Sequence, residues 1–295
     1  MEPGPWILKN NEELLRDMRE LLEVRLSGAK VAQHLPELAS QDQDPLDTVR
    51  LRLGVRDPLV EKLRALEAEF GPQGKTLFTM CEVRRLYAPR ELQAAERLKV
   101  EFWPFFMPSG EQCGTVYDDS RACPQCGAGA PQVHELRLEA GRIPKSRDLA
   151  LTPGAEFVVS ARLVRAMRAH RITGYELRPV LNKAGKPTED WHQLIIPSAT
   201  AEAVPPTLFG SDYLSPEPDS ARCPQGHVLG LRLLSPLHLS RESLRRTDWQ
   251  CLRGLLGLRQ GLFRPYPLFI ISQRLYRLLK ELKVRHLNEE VAHLT

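Results

Sequence analysis

Two short turns that begin with Cys-Pro-Gln constrain this chain more than any other feature. The first is Cys123-Pro124-Gln125-Cys126-Gly127, and the second is Cys223-Pro224-Gln225-Gly226-His227. Cys-x2-Cys closed by glycine is typical of a zinc knuckle, because the tight turn lets both thiolates face one ion. The Cys-x3-His spacing of the second turn also lies within the range that zinc sites use. The sequence therefore predicts one closed, structural Zn²⁺ site with the ligands Cys123, Cys126, Cys223 and His227.

Alternatives to a shared zinc site remain open at this point. Cys-x2-Cys is also the spacing of a redox pair, although the Gly- and Pro-rich residues after Cys126 do not start a helix readily, as a redox motif requires. Each turn is also compatible with a surface turn that carries spare thiols. Ninety-six residues separate Cys126 from Cys223, so a shared site requires that the intervening segment fold. Cys113 is the reserve fourth ligand if His227 turns away.

Composition and charge narrow the class of protein. Of the 295 residues, 42% are hydrophobic and 26% are charged, a balance typical of a soluble globular protein with a core. The net charge of +4 is compatible with nucleic-acid binding but does not by itself indicate it. We see no signal-peptide pattern and no apolar run of about 18 residues, so we expect a cytoplasmic protein with reduced thiols. Cys81 and Cys251 lie within apolar patterns and are expected in the core.

The first part of the chain shows helical periodicity. Apolar residues at helical spacing predict amphipathic helices over residues 11–27 and 57–70, and therefore a helical N-terminal extension over 1–74. The next predicted elements are a strand at 76–82, a helix at 89–98 and an aromatic-rich strand at 100–106. Such an aromatic run could stack nucleic-acid bases, but we interpret it as core because aromatic side chains contribute large burial energies.

A nine-residue segment occurs twice. Residues 157–165 return as residues 269–277, with five of the nine positions identical at an offset of 112. Each copy reads as a short strand, a serine cap (Ser160, Ser272), an amphipathic helix and an exit strand. We therefore predict an internal duplication and an α+β fold, in which two related strand–helix–strand halves, 75–200 and 201–295, form a mixed sheet with zinc-ribbon-like knuckles.

The sequence contains no recognisable catalytic arrangement. Neither Gly-x-Ser-x-Gly nor His-Glu-x-x-His occurs, and His134-Glu135 lies downstream of the first knuckle, where a zinc deaminase would need it upstream. We therefore expect a protein that is not an enzyme. The alternative is an active site whose residues are distant in sequence, and a pocket containing Cys113, His134 or His192 would favour it.

Basic residues recur at a spacing of three in both copies of the repeat. They are Arg162, Arg165, Arg168, Arg274, Arg277 and Lys280. Such a row on one helix face is compatible with an acidic protein partner or with phosphates, and also with an ordinary solvated face. A nucleic-acid-binding protein that uses the basic helices 162–171 and 274–285 is therefore the alternative function.

The knuckles and the C-terminal strand–serine–helix segment Phe269–Val284 resemble the double-CxxCG proteins of myxobacteria over about residues 100–295. The second motif departs from that pattern, since Cys-Pro-Gln-Gly-His replaces Cys-x2-Cys-Gly. Some members of this family are immunity proteins that neutralise toxins exchanged between neighbouring cells. The resemblance implies a non-catalytic, cytoplasmic zinc-binding protein that binds and neutralises a protein partner, such as a cognate toxin.

Overall fold

The computed structural model of the chain describes residues 20–27, 35, 48–70, 73, 78–102, 105–210, 213–214 and 222–295. These residues mix strands and helices, which confirms the predicted α+β class. They form two compact units. The first comprises the described residues within Met1–Tyr87, Gly210–Pro218 and Arg232–Leu234, and the second those within Ala88–Phe209, Asp219–Leu231 and Ser235–Thr295. Within these described ranges, no helix has both the length and the hydropathy needed to cross a membrane.

The first unit is an antiparallel three-stranded sheet with one helix. Its strands, in spatial order, are β2 (Thr48–Gly54), β1 (Glu20–Ser27) and β3 (Phe78–Arg85). Helix α1 (Pro58–Phe70) confirms the helix predicted over residues 57–70. The side chain of Asp57 accepts a hydrogen bond of 2.9 Å from the N–H of Leu59, so a capped first turn starts the helix as expected.

The predicted helix over residues 11–27 is wrong where the structure describes it. The prediction that residues 1–74 are mainly helical is therefore also wrong for the described residues, which include the strands β1 and β2. Glu20–Ser27 is the central strand β1, while residues 11–19 lie outside the described residues. Leu22, Val24 and Leu26 alternate along this strand and are almost fully buried. Leu22 and Leu26, together with Leu21, also fit helical spacing, whereas Val24 fits only the strand. Pairing with strands on both sides decides the conformation, because it satisfies the backbone of β1.

The second unit contains two five-stranded sheets. The strands of the first, in spatial order, are β5 (Leu136–Arg137), β8 (Glu176–Leu181), β9 (Pro187–Ile195), β7 (Phe157–Ser160) and β6 (Leu149–Leu151). Those of the second are β12 (Leu237–Leu239), β15 (Leu287–Leu294), β4 (Arg97–Phe102), β14 (Phe269–Ser272) and β13 (Trp249–Cys251). The helices are α2 (Pro89–Ala94), α3 (Ala161–Ala169) and α4 (Gln273–Glu281). Outside these sheets, β10 (Phe209–Gly210) pairs with β11 (Arg232–Leu233).

The two sheets have the same arrangement of strands. In each, the first edge strand is parallel to its neighbour and the other pairings are antiparallel. In each, one strand leads directly into a helix, as the repeated segment predicts. The central strands of the two sheets come from different places in the chain. β9 follows α3, whereas β4 precedes every other strand of both sheets. The predicted segments 75–200 and 201–295 therefore do not coincide with the two sheets, and β3 belongs to the first unit.

One hydrophobic core is shared by the two sheets and by helices α3 and α4. The ring of Phe102 in β4 contacts Phe157 and Phe269, with centroid distances of 5.6 and 5.3 Å, so this part of the aromatic run is core, as expected. β4 also carries a buried charge. The ammonium group of Lys99 lies 2.7 Å from the carboxylate of Glu290 in β15, and both side chains are almost fully buried.

Candidate metal centre

The two Cys-Pro-Gln turns meet in the second unit. The ligand atoms of Cys123, Cys126, Cys223 and His227 all lie within 4.8 Å of one another. The three cysteines are buried and the histidine is half-buried. The folded segment between the turns thus brings together residues that are far apart in sequence, and the four residues form a cluster that could hold a metal ion.

Both turns have similar backbone hydrogen bonds. In the first, the N–H of Cys123 donates to the carbonyl of Ala128 (2.8 Å), and Gly127 adopts a φ of 73°. In the second, the N–H of Cys223 donates to the carbonyl of His227 (2.9 Å), and Gly226 adopts a φ of 82°. Glycine occupies the left-handed position in each because a Cβ would be strained there. The second turn is one residue shorter, so its second ligand follows the glycine rather than preceding it.

Two of the separations between donor atoms agree with those of a tetrahedral zinc site. His227 Nδ1 lies 3.5 Å from Cys126 Sγ and 3.5 Å from Cys223 Sγ. Zinc–sulfur bonds of about 2.3 Å and zinc–nitrogen bonds of about 2.0 Å, at the tetrahedral angle, place sulfur and nitrogen about 3.5 Å apart. The two observed separations are therefore compatible with ligands of one ion and also with thiol–imidazole hydrogen bonds.

The thiols of the first turn differ in acidity. Burial opposes ionisation of Cys123, but hydrogen bonds from the backbone N–H groups of Cys126 and Gln125 outweigh it and lower the pKa of Cys123 to about 6. Burial, followed by the neighbouring thiols of Cys123 and Cys223, raises the pKa of Cys126 to about 11. One ligand of the cluster is thus a thiolate at neutral pH, and binding of a metal cation would promote loss of the other thiol protons.

A segment without a recognisable motif packs against the first turn and against Val228, directly after the second turn. Residues 252–268 connect β13 to β14 and are longer than the equivalent connection 152–156; we call them the bridging segment. The N–H of Arg259 donates to the carbonyl of Cys126 (2.8 Å), and that of Gly257 to the carbonyl of Val228 (3.0 Å). A Cβ on Gly127 would lie only 2.4 Å from the Cβ of Arg259, so this approach requires glycine. The bridging segment therefore depends on the conformation of the metal centre.

Ion pairs of Arg259 and Arg264 also fasten the bridging segment. Arg259 lies 3.0 Å from the carboxylate of Glu111, and the buried Arg264 binds Glu111 and Asp119, the latter at 2.9 Å. Burial opposes ionisation of Glu111, but hydrogen bonds from both arginines prevail and hold its pKa below the usual value. The guanidinium of Arg264 also stacks on the ring of Tyr117, 3.9 Å from its centroid.

A buried carboxyl group adjoins this network. Glu156 Oε1 accepts hydrogen bonds from the Tyr117 hydroxyl (2.8 Å) and from the N–H of Gly110 (3.1 Å). Among the described residues, Glu156 Oε2 has no hydrogen-bond partner. Burial raises the pKa of Glu156, although these hydrogen bonds oppose the shift. Glu156, Arg259 and Arg264 were not predicted from the sequence. The sequence did carry one signal for the bridging segment. The knuckles repeat at an offset of 100 and the strand–helix segments at an offset of 112, so the second copy contains an insertion between its knuckle and its strand–helix segment.

The six basic residues predicted to bind a partner fall into two groups. Arg162 and Arg274 are held by Asp148 and Asp248, with Nε–Oδ1 distances of 3.0 and 3.1 Å, and Lys280 pairs with Glu289. The other three are exposed, and no ion pair within the described ranges engages them; they are Arg165, Arg168 and Arg277.

The residues of the alternative active site are not assembled with the metal centre. Cys113 is buried, and no metal-ligating group found among the described residues includes it. His134 is exposed, and His192 lies half-buried on β9, where burial and then the nearby Arg168 lower its pKa. Cys81 and Cys251 are buried, as predicted.

The candidate metal centre is thus a cluster of four potential ligands, and the bridging segment packs against it. Comparison of the chain with known family models and with curated proteins finds no match. The resemblance to double-CxxCG proteins therefore stays a prediction.

Proposed function

We propose that this protein is a non-catalytic binding protein of the immunity type, whose binding surface is held in shape by a structural zinc ion. The observation that carries the proposal is the buried Cys3His cluster. Its donors come from two distant turns, and its S–N separations of 3.5 Å match one tetrahedral ion. Zinc would supply a cross-link between the turns, with Cys123, Cys126, Cys223 and His227 as its ligands.

The proposal includes the internal duplication. The shared strand order of the two five-stranded sheets supports it, as do the equivalent polar contacts before each helix. Ser160 and Ser272 each accept a hydrogen bond of 3.1 Å from the third residue of the helix that follows. Each also donates a bond of 2.6 Å to an aspartate, Asp148 or Asp248. On this proposal the metal joins two related halves, each of which contributes one turn.

The bridging segment is the proposed site for a protein partner. It exposes Leu258 and Phe263, and Leu231 lies exposed beside it, in contact with Gly257. Apolar side chains that remain exposed on a well-held segment are typical of protein interfaces. Contacts with the candidate metal centre and the ion pairs of Arg264 hold this segment. Its shape would therefore be set before a partner binds.

Elemental analysis of the purified protein tests the metal part of the proposal. We expect one zinc per chain in the wild type, and loss of zinc with reduced thermal stability in Cys123→Ser and His227→Ala. Cys113→Ser is the matched control, since that buried thiol lies outside the cluster, and it should retain the metal. Absence of zinc from the freshly reduced wild type would refute a zinc centre.

Co-expression tests the immunity part. The probe is the product of a toxin-like reading frame directly upstream, and the readouts are cell survival and co-elution of the two chains in size-exclusion chromatography. We expect Leu258→Asp with Phe263→Asp to abolish both, while Leu208→Asp, an equally exposed leucine on residues 201–210, leaves them unchanged. Zinc binding without any complex would contradict the partner function and leave the metal centre standing.

A further inference from the structure

Helices α3 and α4 lie side by side and run in opposite directions. A guanidinium N–H of Arg162, in the first turn of α3, donates to the carbonyl of Leu282, just beyond α4, over 3.3 Å. A guanidinium N–H of Arg274, in the first turn of α4, donates to the carbonyl of Arg171, just beyond α3, over 2.8 Å. Because the start of each helix contacts the end of the other, the two basic rows lie on neighbouring, antiparallel helices.

The positive charge of the chain is concentrated in these helices and their exits. Residues 161–172 and 273–286 contain nine Lys or Arg side chains and one acidic residue, Glu281, and therefore carry a net charge of +8. Because the whole chain carries only +4, the remaining residues together carry −4. Asp148, Asp248 and Glu289 pair with Arg162, Arg274 and Lys280, so the surface of the two helices is mainly, but not wholly, positive.

The geometry of the helices directs the unengaged charges to solvent. Leu163, Val164 and Met167 of α3, and Leu275, Leu278 and Leu279 of α4, are buried in the shared core. The exposed basic residues therefore project from the opposite side of each helix. We call Arg165, Arg168, Arg277 and Lys283 the cationic face. Lys280 is left out because it pairs with Glu289.

We propose that the cationic face binds the phosphodiester backbone of a nucleic acid. Guanidinium groups bind phosphate oxygens in a fixed, bidentate geometry, and such contacts position a protein on a duplex without reading its sequence. The reciprocal contacts of Arg162 and Arg274 relate the two helices by an approximate twofold axis. The backbone of a duplex also has twofold axes, so its phosphates can match the two helices at once. An acidic patch on a protein generally has no such symmetry. This inference is independent of the metal centre and of the bridging segment.

Fluorescence anisotropy with labelled 20-base-pair duplexes tests the proposal. Parallel titrations with DNA and with RNA show which of the two phosphodiester backbones is bound. We expect binding to either duplex in about 50 mM salt, and a loss of tenfold or more by about 200 mM, because bound phosphates release counterions. Arg165→Glu combined with Arg277→Glu should weaken binding at least tenfold and reduce the salt slope by about 2. Both residues are exposed, and circular dichroism should show an unchanged melt.

Lys145→Glu combined with Lys186→Glu is the matched control. It changes the net charge equally, on exposed turns outside both helices, and should leave the affinity within twofold. Equal weakening by both pairs would overturn the proposal, because binding would then follow net charge alone. Absence of duplex binding in 50 mM salt would also overturn it, as would binding of poly-L-glutamate in place of the duplexes.

Discussion

The ring of Phe157 meets the ring of Phe269 edge to face, with 4.3 Å between the centroids and 89° between the planes. These residues begin the two copies of the repeated segment, so equivalent side chains contact each other in the middle of the shared core. The contact links the two five-stranded sheets directly. Loss of either ring is therefore expected to destabilise both sheets.

We expect Phe157→Ala and Phe269→Ala each to lower the free energy of unfolding by about 3–5 kcal/mol, because each leaves a cavity in the core. The double variant should lose less than the sum of the two, since the rings contact each other. Urea unfolding measures all three. Phe263→Ala, at a half-exposed ring, is the control and should cost far less. Strict additivity would contradict the coupling.

Two glycines of the first knuckle provide a matched pair. Gly127 and Gly129 both have positive φ, 73° and 84°, but only at Gly127 would a Cβ collide, with Arg259. Gly129→Ala should cost about 1–2 kcal/mol for backbone strain alone. Gly127→Ala should cost a further 1–3 kcal/mol, roughly the penalty of overpacking, and should speed metal loss to a chelator. Equal costs by urea unfolding would show that the bridging segment does not depend on this approach.

The buried carboxyl of Glu156 gives the stability of the protein a pH dependence. Because burial raises its pKa above the ordinary value of 4.5, the folded state favours the neutral form. Its stabilisation is fully present below the unfolded pKa and is lost as pH rises through the folded pKa. Glu156→Gln should therefore gain stability relative to the wild type as pH rises above the ordinary pKa of 4.5. Urea unfolding across these pH values measures the difference, and parallel profiles would refute the assignment.

Asp248 has the opposite dependence. It is buried, which opposes ionisation, but hydrogen bonds from Arg274, Ser272 and Thr173 outweigh this and lower its pKa below 3.8. Its stabilisation is present above the unfolded pKa and is lost as pH falls through the folded pKa. We expect Asp248→Asn to cost about 2–3 kcal/mol at neutral pH. The cost should shrink as pH falls below about 4. A cost that does not change with pH would contradict an ionised Asp248.

Local signals in the sequence predicted several features correctly. The serine caps Ser160 and Ser272, the capped helix after Asp57 and the α+β class all follow from patterns that span a few residues. The meeting of the two turns was also predicted, because the chemistry of Cys126 and Cys223 favours a common ion. These predictions depend on short-range geometry or on ligand chemistry, and both can be read from a single sequence.

Long-range pairing was not accessible in the same way. Leu22 and Leu26 fit both a helix and a strand, and pairing with the neighbouring strands decides between the two conformations. Arg264 gave no local signal, since its partners Glu111 and Asp119 are distant in sequence. The position of β4 in the second sheet likewise depends on strands that lie far along the chain.

The place of β4 at the centre of the second sheet sets the order in which the chain can fold as it is made. Both of its neighbours, β14 and β15, are synthesised after all five strands of the first sheet. At 5–20 residues per second, β4 would wait roughly 10–40 s on the ribosome for its partners. During that time both of its edges would be open to strands of other chains, and Lys99 would have no Glu290. The nascent chain is therefore most exposed to aggregation, and most in need of a chaperone, before its last strand emerges.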